Sequence, residues 1–212
     1  MEESTRASCD WIMSEPSHPD PAIVTLDNYE IEWAKLVGFY RFSESERDGK
    51  TQSDGSNDAN GLRNHQQGAA AELALTKFLG MKWNATVNTY NNFPDLDGYL
   101  ECRSKQDRQH YMRLYPRRDR AKGAAIFVSV TSLDSNLSTF RVDGWTLGSE
   151  TMIPKYLKKN NWGREEWQLP LSELQPISTL RTETALRLSV VSRGRDKLRV
   201  WVNETLAKEL AE

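Results

Sequence analysis

The stretch from Phe93 to Arg103, Phe-Pro-Asp-Leu-Asp-Gly-Tyr-Leu-Glu-Cys-Arg, joins an acidic turn to a short apolar strand. Successive side chains of a strand point to opposite faces of its sheet. Glu101 and Arg103 are therefore expected on one face. Their neighbours Leu100 and Cys102 are expected on the other. The stretch predicts a half-buried strand that presents a carboxylate and a cation side by side.

Two more acidic residues directly precede this strand in sequence. Asp95 and Asp97 are both close enough in sequence to reach the face that carries Glu101, and the spacing leaves the choice between them open. Two carboxylates beside a fixed cation provide oxygen ligands for a divalent metal and a positive charge near an attacking water. The pattern therefore indicates a candidate site for phosphodiester cleavage, with Arg103 as the cation.

A helix predicted from residue 64 to 79 carries a further acidic candidate. Its small and apolar residues recur at three- and four-residue steps on one face. Those residues are Gly68, Ala69, Leu75 and Leu79. Glu72 lies within this face, where a carboxylate is costly unless it is paired or bound to a cation. Glu72 is thus either a site residue or a structural carboxylate that reaches solvent or pairs with Arg103.

Strand-like segments follow at 85–92, 98–104, 109–115 and 124–131. The last of them contains the run Ala-Ala-Ile-Phe-Val-Ser-Val, which is typical of a central strand covered on both faces. Residues 138–145 have the pattern of an edge or closing strand, and residues 150–158 that of a weak helix. The segment 162–174 is predicted to be a loop leading to a short turn.

The predicted fold class is α/β, a single domain in which a mixed sheet of four or five strands is flanked by helices. Residues 1–24 contain three prolines and no periodicity, so a flexible tail is expected there. The domain occupies residues 25–178, with a helix beginning near Asp27 and a mobile loop over 43–62. Residues 179–212 are predicted to add a β-hairpin and a final helix.

The composition is that of a folded globule, with 38% hydrophobic residues. No run approaches the ~20 apolar residues that span a bilayer. The first residues lack the basic and apolar regions of a signal peptide, so a cytoplasmic protein is expected. The two cysteines, Cys9 and Cys102, are far apart and match neither a disulfide framework nor a zinc site.

Charge is distributed unevenly along a chain whose net charge is only −2. Residues 1–60 carry thirteen acids and five bases, whereas residues 101–131 carry eight bases and three acids. Such a basic segment is either solvated surface or a contact for nucleic acid. The bases predicted to contact nucleic acid are Lys105, Arg113, Arg117, Arg118, Arg120 and Lys122.

Several short motifs occur in a fixed order within residues 27–176. They are Gln67-Gly68-Ala69-Ala70-Ala71-Glu72, Asp95 to Gly98, Glu101-Cys102-Arg103, the strand at 126–131 and Phe140-Arg141-Val142-Asp143-Gly144-Trp145. This order resembles phage-type proteins of the PD-(D/E)xK nuclease superfamily. In that superfamily a helix Glu, an Asp and a Glu-x-Lys or Glu-x-Arg pair line one site.

The resemblance implies a metal-binding role for the acidic residues. Asp95 and Glu101 would hold Mg²⁺ or Mn²⁺ through carboxylate oxygens, with Asp97 as the rival to Asp95. Glu72 would bind the metal directly or orient its water.

Arg103 stands where the superfamily usually has lysine. An arginine can stabilise developing negative charge and bind phosphate, but it does not act as a base because its pKa exceeds about 12. It is equally compatible with a salt bridge that locks Glu101 or Glu72. Lys105, two residues further along the same face, is an alternative source of an ammonium group.

Two functions follow from the sequence as hypotheses. The first is a metal-dependent endonuclease or other phosphodiesterase acting on nucleic acid, with DNA as the expected substrate. The second is a catalytically degenerate protein of the same fold that binds nucleic acid or a host partner. Assembly as a homodimer is left open.

Overall fold

The computed structural model describes residues 21–47, 58–85, 95–96, 99–119, 123–160 and 163–180, with only the backbone described at 58, 59, 117 and 118. The predicted hairpin and helix beyond residue 180 and the first twenty residues lie outside these ranges. Asp97, Arg120, Lys122 and most of the predicted strand at 85–92 also lie outside them. Within the described ranges, no helix combines the length and apolar character needed to cross a membrane.

A four-stranded mixed sheet forms the centre of the described chain. Its strands are β1 (Ala22–Thr25), β2 (Leu100–Gln106), β4 (Ile126–Ser132) and β5 (Thr139–Leu147), in the order β1-β5-β4-β2. β2 runs parallel to β4, while β5 is antiparallel to both of its neighbours. The predicted mixed α/β class is confirmed at this level. β4 is internal and buried along its whole length, as its apolar sequence predicted.

Two long helices cover one face of this sheet. They are α1 (Asn28–Arg47) and α2 (Asp58–Leu79). α1 begins with a capping box, because Asp27 Oδ1 accepts the Glu30 amide and Glu30 Oε2 accepts the Asp27 amide, both at 2.8 Å. The buried alanines of α2 let it lie close to the sheet. Those alanines are Ala69, Ala70, Ala71 and Ala74.

A second, three-stranded sheet lies on the opposite side. It contains β3 (Tyr111–Leu114), β6 (Leu157–Lys159) and β7 (Glu165–Pro170) in the antiparallel order β3-β7-β6. Phe127 of β4 belongs to the apolar cluster of this sheet, whereas its neighbours Ile126 and Val128 belong to the helix-side cluster. The central sheet is therefore covered on two faces, and the described part of the chain has two apolar clusters. Two short helices, α3 (Pro116–Asp119) and α4 (Gly148–Thr151), lie in the connections.

The prediction of a mobile loop over residues 43–62 is wrong at both ends of that range. α1 continues to Arg47, where Ser43 Oγ bonds the Phe39 carbonyl at 3.0 Å. α2 begins at residue 58, and the ring of its His65 meets the ring of Phe42 edge-on at 6.0 Å. Packing between the two helices, which polar composition does not reveal, extends both of them.

Three strand assignments also differ from the sequence prediction. β1 forms inside the segment expected to be a tail, and it pairs with β5, so β5 is internal rather than an edge strand. β7 occupies part of the predicted loop because it pairs with both β3 and β6. The weak helix expected over 150–158 is divided among α4, a 3₁₀ turn at Pro154–Tyr156 and β6. Each difference depends on pairing with a distant segment.

Gly38 sets the distance between the two long helices. A Cβ built at this position would lie 2.6 Å from the backbone nitrogen of Gln66, closer than real contacts allow. We expect Gly38→Ala to lower the free energy of unfolding by about 1–3 kcal/mol through overpacking. Urea denaturation monitored by tryptophan fluorescence measures this change.

The matched control is Gly68→Ala in α2, because a Cβ at Gly68 meets nothing within 4 Å. That substitution is expected to be neutral or to stabilise the helix by about 0.5–1 kcal/mol. Equal destabilisation by both substitutions would contradict the close α1–α2 contact.

Candidate charged site

β2 presents its charged residues in a row on one face. Glu101, Arg103 and Lys105 alternate with neighbours that face the helices, of which Cys102 belongs to the helix-side core. The parallel register sets Arg103 beside Ser129 of β4. The predicted division of this strand into a charged face and an apolar face is confirmed.

Arg103 is the centre of a buried cluster of charges. Its Nη2 lies 2.7 Å from Glu101 Oε1 and also donates to Asp119 Oδ1. Its guanidinium carbon lies 5.4 Å from the ring centre of Phe127. The second oxygen of Asp119 accepts the Tyr115 amide at 2.6 Å, which holds the short helix α3 against β2. Both carboxylates are buried, and the contact with Arg103 offsets part of the cost of burying their charge.

The surrounding carboxylates determine the protonation of Arg103. Burial alone would lower the pKa of its guanidinium, but Asp119, Glu101 and Asp95 together raise the pKa above its ordinary value. Asp95 therefore acts electrostatically on Arg103, and it also raises the pKa of Arg41 on the helix side of β2. The Nε atom of Arg103 is buried and has no hydrogen-bond partner among the described residues.

Glu72 lies in a separate pair on the helix side of β2. Its two carboxylate oxygens receive Nη1 and Nη2 of Arg41 at 2.7 and 2.8 Å, in the bidentate geometry that binds a carboxylate most firmly. Burial raises the pKa of the nearby Cys102 thiol, and the charges of Glu72 and Asp95 raise it further. Of the alternatives left open for Glu72, a site residue or a structural carboxylate that reaches solvent or pairs with Arg103, the structure shows a paired carboxylate, but its partner is Arg41, because α2 packs on the opposite face of the sheet from Glu101.

The acidic residues do not gather into a set of three. Among the described residues, no group of three His, Cys, Asp or Glu side chains is placed so that it could hold a metal ion. The carboxylates of Glu72 and Glu101 are instead separated by β2, and each contacts an arginine.

A second buried cluster lies further along the same charged face. Asp143 of β5 accepts hydrogen bonds from Ser129 Oγ and Thr131 Oγ1 at 2.7 Å and from Arg141 Nε at 2.8 Å. Lys105 Nζ lies 3.6 Å from Asp143 and donates to the Gln109 carbonyl at 2.8 Å. Burial lowers the pKa of Lys105, an effect that Asp143 partly offsets.

Lys105 was predicted to contact nucleic acid, and that prediction is wrong because the side chain is buried within this cluster. Because Lys105 makes these contacts with Asp143 and Gln109, it does not supply an ammonium group beside Glu101. Arg113 is also directed towards its own sheet, since its Nη2 donates to Tyr111 Oη at 2.9 Å and its Nε lies 3.6 Å from buried Glu166. The side chains of the remaining predicted contacts, Arg117, Arg118, Arg120 and Lys122, lie outside the described part of the chain.

Three residues of these clusters were missed by sequence reasoning. Asp119 is one acid within a basic segment, and no signal in the sequence showed that its carboxylate turns inwards. Asp143 lies within β5, next to the buried apolar residues Phe140 and Val142, where a carboxylate predicts a buried partner. Arg41 carried no local signal, because its partner Glu72 is 31 residues away.

Comparisons with protein-family models, with curated proteins and with solved structures find no match for this chain. Interpretation of the site therefore depends on its chemistry and on the order of its motifs.

Proposed function

We propose that this protein is a metal-dependent phosphodiesterase of the PD-(D/E)xK type that cleaves nucleic acid, with DNA as its substrate. The observation that carries the proposal is the Arg103 cluster. The guanidinium of Arg103 contacts Glu101, and its pKa is raised by Asp95, which precedes the same strand. A fixed cation beside two acids is the arrangement that phosphodiester hydrolysis requires.

The donor chemistry of this site fits Mg²⁺ or Mn²⁺ with two protein ligands rather than three. Magnesium is commonly held by one or two carboxylates, with water and substrate phosphate as its other ligands. Asp95 and Glu101 are the residues that would hold the ion, and Asp97 remains the alternative to Asp95. When bound, the ion supplies Lewis acidity and a lowered pKa of bound water.

Arg103 supplies positive charge rather than base catalysis. Its raised pKa keeps it protonated, so it stabilises negative charge on a phosphate without exchanging a proton. Asp119 holds the guanidinium beside Glu101. Four basic residues lie within three residues of Asp119 in sequence, and we assign them to the sugar-phosphate backbone, a contact that is sensitive to salt. They are Arg117, Arg118, Arg120 and Lys122.

A second candidate function is favoured by a specific observation. Glu72 and Glu101 are each already neutralised by a buried arginine, Arg41 and Arg103. Such pairs are consistent with a degenerate site whose protein binds nucleic acid or a host partner without cleaving it. The two functions differ in whether a metal ion displaces the arginine from Glu101.

The first function predicts that Asp95→Ala and Glu101→Gln each reduce Mn²⁺-dependent DNA cleavage by about 100-fold or more, since each removes a carboxylate that would hold the metal ion. Labelled linear, single-stranded and branched DNA provide the substrates. Mn²⁺ binding to the free protein, measured by calorimetry, is expected to weaken in both variants. Glu165→Gln, an exposed acid on β7, is the control and should leave cleavage and metal binding unchanged.

The outcomes separate the two functions. Cleavage by the wild type that is lost in both site variants, with circular dichroism unchanged, supports the phosphodiesterase. No metal binding and no cleavage by the wild type, with salt-sensitive DNA binding retained, would overturn it in favour of the binding protein. Unfolding of Glu101→Gln would identify that carboxylate as a structural partner of Arg103, and Asp95→Ala would then carry the test.

A further inference from the structure

Arg103 is almost completely enclosed in this structure. Its side chain is 11% exposed, and the carboxylates of Glu101 and Asp119 that it contacts are buried. The proposed phosphodiesterase needs this guanidinium to contact a phosphate of the nucleic acid, because a charge stabilises a reacting phosphate strongly only at close range. An element that encloses Arg103 must therefore move before that contact forms.

Three elements of the described chain contact the guanidinium. Glu101 lies beside it on β2, and the ring centre of Phe127 on β4 lies 5.4 Å from its carbon. These two strands are paired along the whole length of β2, so neither moves without breaking the central sheet. The third contact comes from Asp119 on the four-residue helix α3, in the connection between β3 and β4. Connections open locally at a lower free energy than buried strands, so α3 is the element expected to move.

Asp119 contacts Arg103 in the way that a phosphate would. One of its carboxylate oxygens accepts a hydrogen bond from Nη2, the nitrogen that also lies 2.7 Å from Glu101 Oε1. Carboxylate and phosphate oxygens compete for the same guanidinium donors. A phosphate oxygen therefore reaches Nη2 only when one of the two acids leaves it.

The composition of α3 links its movement to nucleic acid. The second oxygen of Asp119 accepts the Tyr115 amide at 2.6 Å, and the Asp119 amide donates to the Tyr115 carbonyl at 2.8 Å. The two residues of α3 that precede Asp119 are Arg117 and Arg118. Since the proposed function assigns these arginines to phosphates, nucleic acid would attract the same short helix that carries Asp119.

We propose that Asp119 is an autoinhibitory carboxylate that occupies Arg103 in the free protein and is displaced by a phosphate of the bound nucleic acid. This proposal rests on the proposed function and describes how the same site is regulated. In the free protein α3 is closed and Arg103 is neutralised by two acids. In the complex α3 is open, and Arg103 keeps Glu101 while it gains a phosphate.

Autoinhibition lowers the affinity for nucleic acid. The apparent dissociation constant equals the intrinsic constant divided by the fraction of protein that is open. Replacing Asp119 by asparagine removes the charge that holds α3 closed. If about a tenth of the wild type is open, the variant gains about 10-fold in affinity.

Binding of a short labelled duplex DNA in EDTA, at one fixed salt concentration, tests the proposal. Asp119→Asn is expected to bind about 10-fold more tightly than the wild type. The matched control is Asp107→Asn, which removes the same charge from an exposed residue 3.3 Å from Arg141. It should change the affinity less than about twofold, because the charge of Asp107 is screened by solvent.

A double variant tests whether Asp119 acts through Arg103. In an Arg103→Met background no guanidinium remains to be released. Adding Asp119→Asn to that background should therefore strengthen DNA binding no more than adding Asp107→Asn does. A gain of the full size in this background would show that Asp119 acts only through its general charge, and it would overturn the proposal. Circular dichroism of each variant checks that the fold is retained.

A measurement on the wild type does not depend on the folding of any variant. The Nε atom of Arg103 is buried and has no hydrogen-bond partner among the described residues. Its N–H resonance, observed by NMR and identified by its loss in Arg103→Lys, therefore reports on the surroundings of the guanidinium. Saturating duplex DNA in EDTA is expected to shift this resonance, because a phosphate replaces Asp119.

The remaining outcomes also decide the proposal. It is overturned if Asp119→Asn binds DNA no more tightly than Asp107→Asn, if the Arg103 Nε resonance stays in place in the DNA complex, or if neither the wild type nor Asp119→Asn binds DNA. Tighter binding by Asp119→Asn without metal-dependent cleavage by the wild type supports autoinhibition and contradicts the phosphodiesterase. Cleavage by the wild type without tighter binding by the variant contradicts autoinhibition alone.

Discussion

Arg103→Met is expected to lower the free energy of unfolding by about 3–5 kcal/mol, because it removes a cation that contacts two buried carboxylates. Glu101 and Asp119 would then remain buried without the guanidinium that contacts both of them. The contact between Asp119 and Arg103 also holds α3 to β2, so that connection should loosen. Urea denaturation measures the loss, and hydrogen exchange of the β2 amides locates it.

The double variant Glu101→Gln with Arg103→Met distinguishes this explanation from simple loss of packing. If uncompensated charge causes the effect, the double variant will be more stable than Arg103→Met alone. Equal stability of the two would contradict it. Glu32→Gln, which breaks an exposed pair with Lys35, is the control and should cost less than about 0.5 kcal/mol.

Arg103→Lys links this cluster to the proposed function. A lysine keeps the positive charge but not the planar group that contacts two carboxylates, so part of the stability should be lost. If the site cleaves phosphodiesters, the lysine should support cleavage, since it restores the residue that the superfamily uses. DNA cleavage by Arg103→Lys and by Arg103→Met, compared at equal folded fraction, measures whether charge at this position is required.

The second large effect is expected at Asp143. Asp143→Asn should lower the free energy of unfolding at pH 7 by about 3 kcal/mol, because it removes the buried negative charge that lies beside Lys105 and contacts Arg141. Thr131→Val removes one hydrogen bond to the same carboxylate and should cost about 1–1.5 kcal/mol. The milder variant keeps the comparison measurable if Asp143→Asn does not fold.

The cost of Asp143→Asn should depend on pH through Lys105. Burial lowers the pKa of Lys105 in the folded protein below the 10.5 of an exposed lysine, while Asp143 raises it. Between the two values the unfolded chain binds more protons, so stability rises as pH increases through that window. Without Asp143, the pKa of Lys105 in the folded protein falls further. The pH range over which stability rises therefore begins at a lower pH.

The deficit of Asp143→Asn relative to the wild type is therefore expected to shrink between pH 7 and pH 10. Urea denaturation at pH 7, 8.5 and 10 provides the measurement. A deficit that stays constant over this range would show that the hydrogen bonds from Ser129 and Thr131, rather than the charge of Lys105, account for the loss.

Local patterns predicted the parts of this protein that depend on near neighbours in sequence. Alternation along Leu100–Gln106 placed Glu101 and Arg103 together on one face of β2. An uninterrupted apolar run identified β4 as a central strand. A helix was correctly predicted to begin near Asp27, whose carboxylate accepts the Glu30 amide at the start of α1. In each case the controlling contacts lie within a few residues, so strand alternation, helix capping and apolar content are sufficient evidence.

The partners of the charged residues depend instead on contacts between distant segments. Glu72 meets Arg41 across 31 residues, and Arg103 meets Asp119 across 16. The sequence shows that these charges exist, but not which face of the sheet α2 covers. Because that packing puts β2 between Glu72 and Glu101, Glu72 is not part of the candidate site and instead joins α2 to α1 through Arg41. In the candidate site, Arg103 contacts the carboxylates of Glu101 and Asp119.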